Sequence, residues 1–363
     1  MHSTHPRLRK NNFDLLRLLF AGVVCLVHSF ELSGFEALHW TTRFFSSAVA
    51  VKSFFVVSGF LIFMSYERST SLASYISKRI RRIYPAYFTI VILCAIGLVM
   101  VSSRSVNQYF SADWLKYVAA NLSFLNFLSP ALPGVFDTNK MAAVNGALWT
   151  LKIEAMFYMS VPIFAYFFRK FSTFPVIVIT YVASTAYAVF MTALSERTGS
   201  GVYAELARQL PGQLSYFMAG ALLFYFLDFF ERHVKPIFGA AVVLLAVNAM
   251  HPLPLLEPLA LSIVVIFFGL FLYAGNFGKY GDFSYGFYIL HFPVIQLMLL
   301  ADWTAKSPWS FLATTILLTG LGAIAMWHLV EKKFLFRSSH YRASTSPTLE
   351  NSSELPITAG EKI

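Results

Sequence analysis

The sequence predicts an all-α membrane protein, a polytopic bundle of about ten transmembrane helices with both termini in the cytoplasm. Hydrophobic residues make up 57% of the 363 residues and charged residues only 13%. An ordinary soluble domain carries about 25% charged residues, so a soluble core could not cover this much apolar surface. The composition therefore excludes soluble globular domains, disordered chains and disulfide scaffolds.

Ten apolar runs are long enough, or nearly so, to cross a bilayer, which takes about twenty residues. Each run is predicted to be a helix, because backbone groups in lipid must be hydrogen-bonded within their own segment. The seventh run is short and the weakest of the ten. The predicted spans cover residues 14–35, 45–65, 84–103, 147–168, 174–194, 209–229, 236–251, 255–275, 283–301 and 309–330.

Two apolar segments need separate treatment. Basic residues precede the first span, as in a signal peptide, but this span is long, contains Asp14, Arg17 and His28, and has no clean cleavage site after it. We therefore predict a retained helix. The stretch 117–130 is apolar but short and interrupted, so we expect it to lie in the interface or to fold back into the bundle.

The distribution of positive charge predicts the orientation. With ten spans both termini lie on one side, where the segments hold eighteen Lys or Arg residues against seven on the other side. Positive residues collect in cytoplasmic loops, so that side is the cytoplasm. The same bias explains the net charge of +10 without nucleic acid. Residues 1–337 form the predicted multi-pass domain, and 338–363 are predicted to be a disordered cytoplasmic tail.

Arg17 and His28 are the first candidates for function, because an ionised side chain at the centre of a span costs about 2.5–3.5 kcal/mol. They are eleven residues apart. That spacing puts them on one face of a helix, about 16 Å apart along its axis. Asp14 extends the same face. In the alternative, Arg17 reaches lipid phosphates and His28 hydrogen-bonds a neighbouring helix.

The second span and the segment after it carry two further patterns. Ser58-Gly59, within FFVVSGFLIF, is typical of close helix packing. In the following KRIRRIYPAY, residues 78–87, Arg79 and Arg82 are three apart and on a helix could bind one phosphate. Pro85 is predicted to end or kink this turn. The alternative is an ordinary solvated positive-inside loop.

A carboxylate about one third of the way into the fourth span, Glu154, needs a partner, and Tyr158 follows it by one turn. A purely structural ion pair is the alternative to a role in chemistry. The candidate partners of Glu154 are His28, Lys52, Lys152 and Arg17.

The ninth span, GDFSYGFYILHFP, places Ser284, Tyr288 and His291 on one helical face. A packed polar seam would use the same pattern. Glu331 and Lys332 close the tenth span and are expected at the cytoplasmic boundary. The sequence has no Walker A loop, no G-x-G-x-x-G, no H-E-x-x-H and no paired CxxC, so no metal site is predicted and any chemistry belongs to the intramembrane polar groups.

Taken in order, these pieces resemble the membrane acyltransferase-3 family, the O-acyltransferases of bacterial envelope polysaccharides and related glycans. The resemblance runs over nearly the whole chain. It rests on NNFDLLRLLFAGVVCLVHS (11–29), FFVVSGFLI, the RxxRIYP-like element at Arg79–Pro85, NGALWTLKIEAMFY, FSYGFYILHFP and the closing Glu331-Lys332.

The resemblance implies a multi-pass protein of the bacterial inner membrane, with acetyl-CoA or another acyl-CoA as cytoplasmic donor substrate and no tightly bound cofactor. It implies a glycan or glycolipid hydroxyl as acceptor, and membrane lipids around the bundle. Arg17 and His28 match the family's essential pair, and Arg79 and Arg82 its basic donor-side motif. The family's fourth-span element includes Trp149 and Glu154, whereas Lys52 departs from the pattern, which puts any inherited role of that position in doubt.

Acyl transfer from a thioester to a hydroxyl needs a base, and the resemblance together with the pKa range of imidazole points to His28. Glu154 is expected to orient His28 or to stabilise its protonated form. Arg17, Arg79 and Arg82 are expected to bind CoA phosphates. His28 could instead carry the acyl group covalently. The rival interpretations are a transporter or flippase of an acylated lipid or sugar, and a sensor or structural membrane protein.

Overall fold

The computed structural model describes residues 6–301 and 307–336. Within those ranges all regular secondary structure is helical, and there are no strands. This confirms the all-α class. The predicted tail, 338–363, lies outside the described residues. The longer helices are, in chain order, α1 (Phe13–Ser33), α2 (Ser47–Glu67), α3 (Leu72–Gly97), α4 (Ala112–Leu122), α5 (Trp149–Phe171), α6 (Thr173–Thr198), α7 (Leu210–Tyr225), α8 (Val234–Met250), α9 (Glu257–Leu270), α10 (Ser284–Leu299) and α11 (Pro308–Met326).

Within the described residues, six helices are long and apolar enough to cross a bilayer. They are α1, α2, α3, α5, α6 and α11, the last continued by a π turn at Trp327–Glu331 and by Lys332–Phe334. The predicted spans six to nine coincide with α7, α8, α9 and α10, which are apolar helices of 14 to 17 residues. The count of ten spans and the cytoplasmic termini therefore stay predictions.

Helices α2 and α7 pack backbone against backbone. A Cβ atom on Gly59 would lie 1.9 Å from the carbonyl oxygen of Phe217, and one on Gly220 would lie 2.1 Å from that of Val56. Only glycine allows this approach, which confirms the close packing predicted from Ser58-Gly59. The contact fixes the position of α2 in the bundle. It thereby also positions Ser58, which lines the cavity described below.

Gly59→Ala is expected to lower the free energy of unfolding by about 1–3 kcal/mol, because the added methyl group forces two backbones apart. Denaturant titration in mixed micelles measures this change. Gly239→Ala is the matched control, since a Cβ there meets nothing within 4 Å. Equal stability of the two variants would contradict the packing argument.

Of the two outcomes predicted for Pro85, the end of the helix is ruled out and the kink stays a prediction. Helix α3 continues to Gly97, because the apolar residues that follow must keep their backbone hydrogen bonds within the helix.

The stretch 117–130, expected in the interface or folded back, lies partly in α4. Helix α4 folds back against α3: the hydroxyl group of Tyr87 donates to the carbonyl oxygen of Asn121 at 2.7 Å. Tyr117 and Asn121 are both buried there.

Candidate functional site

Charged side chains from four parts of the chain meet inside the bundle, near the end at which α1 begins. We call Asp14, Arg17, Arg82, Asp282 and Glu331 the ion cluster. Asp282 is its centre: its carboxylate accepts from Arg17 at 2.8 Å and is also paired with Arg82. Arg17 is paired with Asp14 as well, and Arg82 lies 3.5 Å from Glu331.

The local chain explains why Asp282 is held in place. It directly precedes α10, and the backbone N–H of Ser284 donates to its Oδ1 at 3.1 Å. Gly281, with φ of 135°, lets the chain pass so close to Trp327 that a Cβ would lie 2.2 Å from the indole nitrogen. Burial raises the pKa of Asp282, but Arg17 and Arg82 outweigh it and hold the pKa below its ordinary value.

Glu331 closes the tenth predicted span, and the structure buries it inside the protein. Its place at the cytoplasmic boundary stays a prediction. Its side chain is only 2% exposed. The π turn at Trp327–Glu331 sits where α11 passes α3, and it brings this carboxylate towards Arg82. A π turn inserted in a helix often marks a functional or strained position.

Arg79, the other arginine proposed from the basic motif, has a different environment from Arg82. Its guanidinium group donates to the hydroxyl oxygen of Ser65 at 3.1 Å and lies 5.5 Å from the ring centre of Tyr158. In the described part of the chain Arg79 forms no ion pair with a carboxylate. Its charge is therefore the one more readily available to an anionic ligand.

A cavity begins at these arginines and runs into the bundle. Glu154 lies on its wall, and the hydroxyl group of Tyr158 donates to the Glu154 carboxylate at 2.6 Å. The polar residues that line the cavity are Arg17, Ser58, Arg79, Arg82, Thr150, Glu154, Tyr158, Ser284, Tyr285 and Tyr288.

The hydrogen-bond partner of Glu154 in the structure is Tyr158, which was not among the predicted partners. Of the predicted cations, Arg17 lines the same cavity as Glu154. The other candidate cations are held elsewhere. Lys52 forms an ion pair with Glu257 at 2.7 Å, and Lys152 lies 4.9 Å from the ring centre of Phe127.

His28 is paired with His291 beyond the far end of the cavity. Nδ1 of His28 lies 2.9 Å from Nε2 of His291, and Nδ1 of His291 lies 2.5 Å from the carbonyl oxygen of Tyr288. Tyr288 connects this pair to the cavity: it lines the cavity wall, and its ring centre is 5.6 Å from that of His291. Glu154 and His28 have different hydrogen-bond partners: Glu154 accepts from Tyr158, whereas His28 is paired with His291.

Glu31 is a charged neighbour of His28 that the sequence did not single out. Its Oε2 lies 3.9 Å from Nε2 of His28. Trp149, predicted as part of the fourth-span element, lies beside another cation, with its ring centre 4.3 Å from the guanidinium carbon of Arg208.

A model of the acyltransferase domain family matches residues 10–328. The chain belongs to the acyltransferase-3 family. The family match covers Arg17, His28, Arg79, Arg82 and Glu154, the predicted site residues, and it confirms the resemblance drawn from the motifs.

Three curated proteins are similar to this acyltransferase-3 chain. Nodulation protein 10 of Rhizobium leguminosarum bv. viciae is 25% identical over 90% of this chain and 94% of its own length. An O-acetyl transferase of Shigella phage Sf6 is 28% identical over 91% of this chain and 98% of its own. An uncharacterized protein of Haemophilus influenzae is 27% identical over 43% of this chain and 63% of its own. No solved structure matches the chain.

Asp282 is another residue of this acyltransferase-3 site that the sequence did not single out. It stands at the start of the ninth-span motif, where an acidic residue is ordinary at a helix N-terminus. A usable signal did exist. Arg17, which the sequence places inside the first span, requires a carboxylate, and an Asp at the mouth of a span is a natural candidate.

Proposed function

We propose that this acyltransferase-3 protein is an O-acyltransferase of the bacterial inner membrane. It transfers an acyl group, in the first instance acetyl, from cytoplasmic acyl-CoA to a hydroxyl group of an envelope or exported glycan. The observation that carries the proposal is the polar path through the bundle. Arginines stand at one end of the cavity, and Tyr288 on its wall contacts the histidine pair that lies beyond the other end. The phage relative named an O-acetyl transferase supports the acetyl group.

The donor enters at the arginine end in this proposal, which assumes cytoplasmic termini. CoA carries several phosphate charges, and Arg79 binds one of them because it has no carboxylate partner in the described residues. Arg17 and Arg82 add positive potential next to it while Asp282 holds them in place. The pantetheine arm then extends along the cavity, so that the thioester approaches Tyr288 and the histidine pair.

The acceptor hydroxyl arrives from the opposite end, where His28 is 20% exposed. His28 takes the hydroxyl proton as the oxygen attacks the thioester carbonyl carbon, and a C–O bond forms. The tetrahedral intermediate then breaks its C–S bond, and the departing CoA sulfur receives the proton from His28. In the alternative, His28 itself takes the acyl group from CoA and passes it to the hydroxyl in a second step.

The experiment uses inside-out vesicles that contain the full-length protein and envelope glycan precursors. Isotope-labelled acetyl-CoA is supplied on the cytoplasmic face, and glycans are analysed by mass spectrometry. Label on a glycan oxygen supports the proposal. Movement of a pre-acylated lipid or sugar across the bilayer without consumption of acetyl-CoA would favour a transporter instead.

The two arginines of the basic motif should give different results. Arg79→Ala is expected to weaken acetyl-CoA binding about 10- to 150-fold, the equivalent of about 1.5–3 kcal/mol for a lost charge-assisted hydrogen bond. Arg79→Lys should restore binding only in part, since an ammonium group lacks the planar donor fork. Arg82→Ala should mainly reduce the yield of folded protein, because it takes one of two arginines from buried Asp282 and the neighbouring arginine from buried Glu331.

Calorimetric titration of the purified variants with acetyl-CoA measures the difference. Arg81→Ala is the matched control: Arg81 is on the same helix but exposed, with its guanidinium group 4.4 Å from the ring centre of Phe336. Unchanged affinity in Arg79→Ala would remove Arg79 from the donor site. Full rescue by lysine would reduce its role to orienting the helix.

A further inference from the structure

Buried His291 is a titratable group that the acyl transfer described above leaves without a role. Its side chain is completely buried, and both of its ring nitrogens have polar neighbours. Nε2 faces Nδ1 of His28 at 2.9 Å, and Nδ1 faces the carbonyl oxygen of Tyr288 at 2.5 Å. The two imidazole rings are stacked, with centres 5.2 Å apart.

These contacts determine where the protons are. A carbonyl oxygen can only accept, so Nδ1 of His291 donates to Tyr288. A neutral imidazole has one donor and one acceptor, and therefore Nε2 of His291 accepts from Nδ1 of His28. A doubly protonated His291 would reverse that bond. It would also bury a cation among a carbonyl group, an imidazole and the rings of Tyr288 and Phe292, where the described residues provide no carboxylate in contact.

The remaining nitrogen of His28 is then the unprotonated one. Nε2 of His28 has Glu31 at 3.9 Å, beyond hydrogen-bond distance, and the side chain is partly exposed. Its lone pair is therefore open to an incoming hydroxyl group. An imidazole protonated on Nε2 instead would present a proton where the reaction needs a base.

We propose that His291 is a positioning residue: the chain from the Tyr288 carbonyl through His291 to His28 fixes His28 as the Nδ1-protonated tautomer, which makes Nε2 the atom that takes the acceptor proton. The proposal rests on the proposed function for that last step. When Nε2 gains the proton, the bond from Nδ1 to His291 becomes charge-assisted and stabilises the imidazolium. The proton then leaves with the CoA sulfur, and His291 keeps its own proton throughout.

The tautomer can be measured without any assay of activity. Full-length protein labelled with ¹⁵N in its nine histidines is studied in lipid nanodiscs by NMR, and the His28 signals are assigned by their loss in His28→Asn. The expected spectrum has a protonated Nδ1 and a bare Nε2 on His28. A proton on Nε2 would overturn the proposal. Because this readout needs no substrate, it stands even if the protein transfers no acyl group.

Two substitutions test the effect on the reaction. His291→Leu removes the nitrogen that accepts from Nδ1 of His28, and it is expected to lower the transfer rate about 10- to 100-fold. The range is the one known for metal-bound histidines that lose the hydrogen-bond partner orienting their ring. Affinity for acetyl-CoA should not change. His291→Gln is expected to recover most of the rate, since the side-chain oxygen of glutamine can accept from Nδ1 of His28.

Phe292→Leu controls for packing, because Phe292 touches the His28 ring at 5.8 Å between centres but offers no side-chain hydrogen bond. Its rate should stay close to that of the wild type. A wild-type rate in His291→Leu would overturn the proposal, as would a folded His291→Gln that is no more active than the leucine variant. If His291→Leu does not accumulate, the transfer rate of His291→Gln and the NMR spectrum of the wild type still test the proposal.

Discussion

Replacing His28 by alanine is expected to lower the rate of acyl transfer by about 10²–10⁴-fold, the usual contribution of a general base, while the protein still inserts and accumulates. The physical reason is that, on α1, His28 is the side chain suited to moving a proton near neutral pH at a partly exposed position. The measurement is the rate of labelled acetyl transfer to glycan at equal protein amounts.

A second variant separates chemistry from packing. His28→Asn keeps a side-chain N–H that can donate to His291, so the hydrogen bond that holds the two helices survives while the base is lost. It should be as inactive as His28→Ala. The control is His251→Ala, because His251 is exposed. More than about a tenth of wild-type activity in either His28 variant would be incompatible with a general base.

The sequence predicts the local parts of this molecule well, because periodicity acts within one helix. Arg17 and His28 share a face of α1 as their spacing of eleven residues requires, and the polar seam of α10 is buried as predicted. The close glycine packing of α2 was also predictable, since small residues in a span favour contact between helices. Each of these inferences used residues that are near one another in the chain.

Partners from distant parts of the chain could not be predicted. Lys52 is paired with Glu257, which begins α9 about two hundred residues later, and His28 with His291. No spacing rule relates such residues, because the connections between helices decide which faces meet. Glu154 shows the consequence. Its position inside an apolar span shows that it needs a polar partner, whereas only the fold selects Tyr158 for the hydrogen bond.

The ion cluster provides the second large effect that we expect. Asp282→Asn should lower the free energy of unfolding by about 3–5 kcal/mol, because it leaves Arg17 and Arg82 in a buried place without their shared carboxylate. Asp282 is 1% exposed, so water cannot replace the lost charge. Denaturant titration in mixed micelles measures the loss. The matched control is Asp113→Asn in the exposed pair with Lys116, which should cost less than about 1 kcal/mol.

A double-mutant cycle tests whether the loss comes from the ion pair itself. Arg82→Gln removes the cation that Asp282→Asn would leave unpaired, so the double variant should be more stable than the sum of the single losses allows. The expected coupling is about 0.5–3 kcal/mol, the range for residues in direct contact. Additive losses would mean that Asp282 acts through the start of α10 and its bond to Ser284 rather than through Arg82. A coupled result would also explain the different roles given to the two arginines of the basic motif. Arg82 is already neutralised by the protein, which leaves Arg79 to bind an anion that arrives from outside.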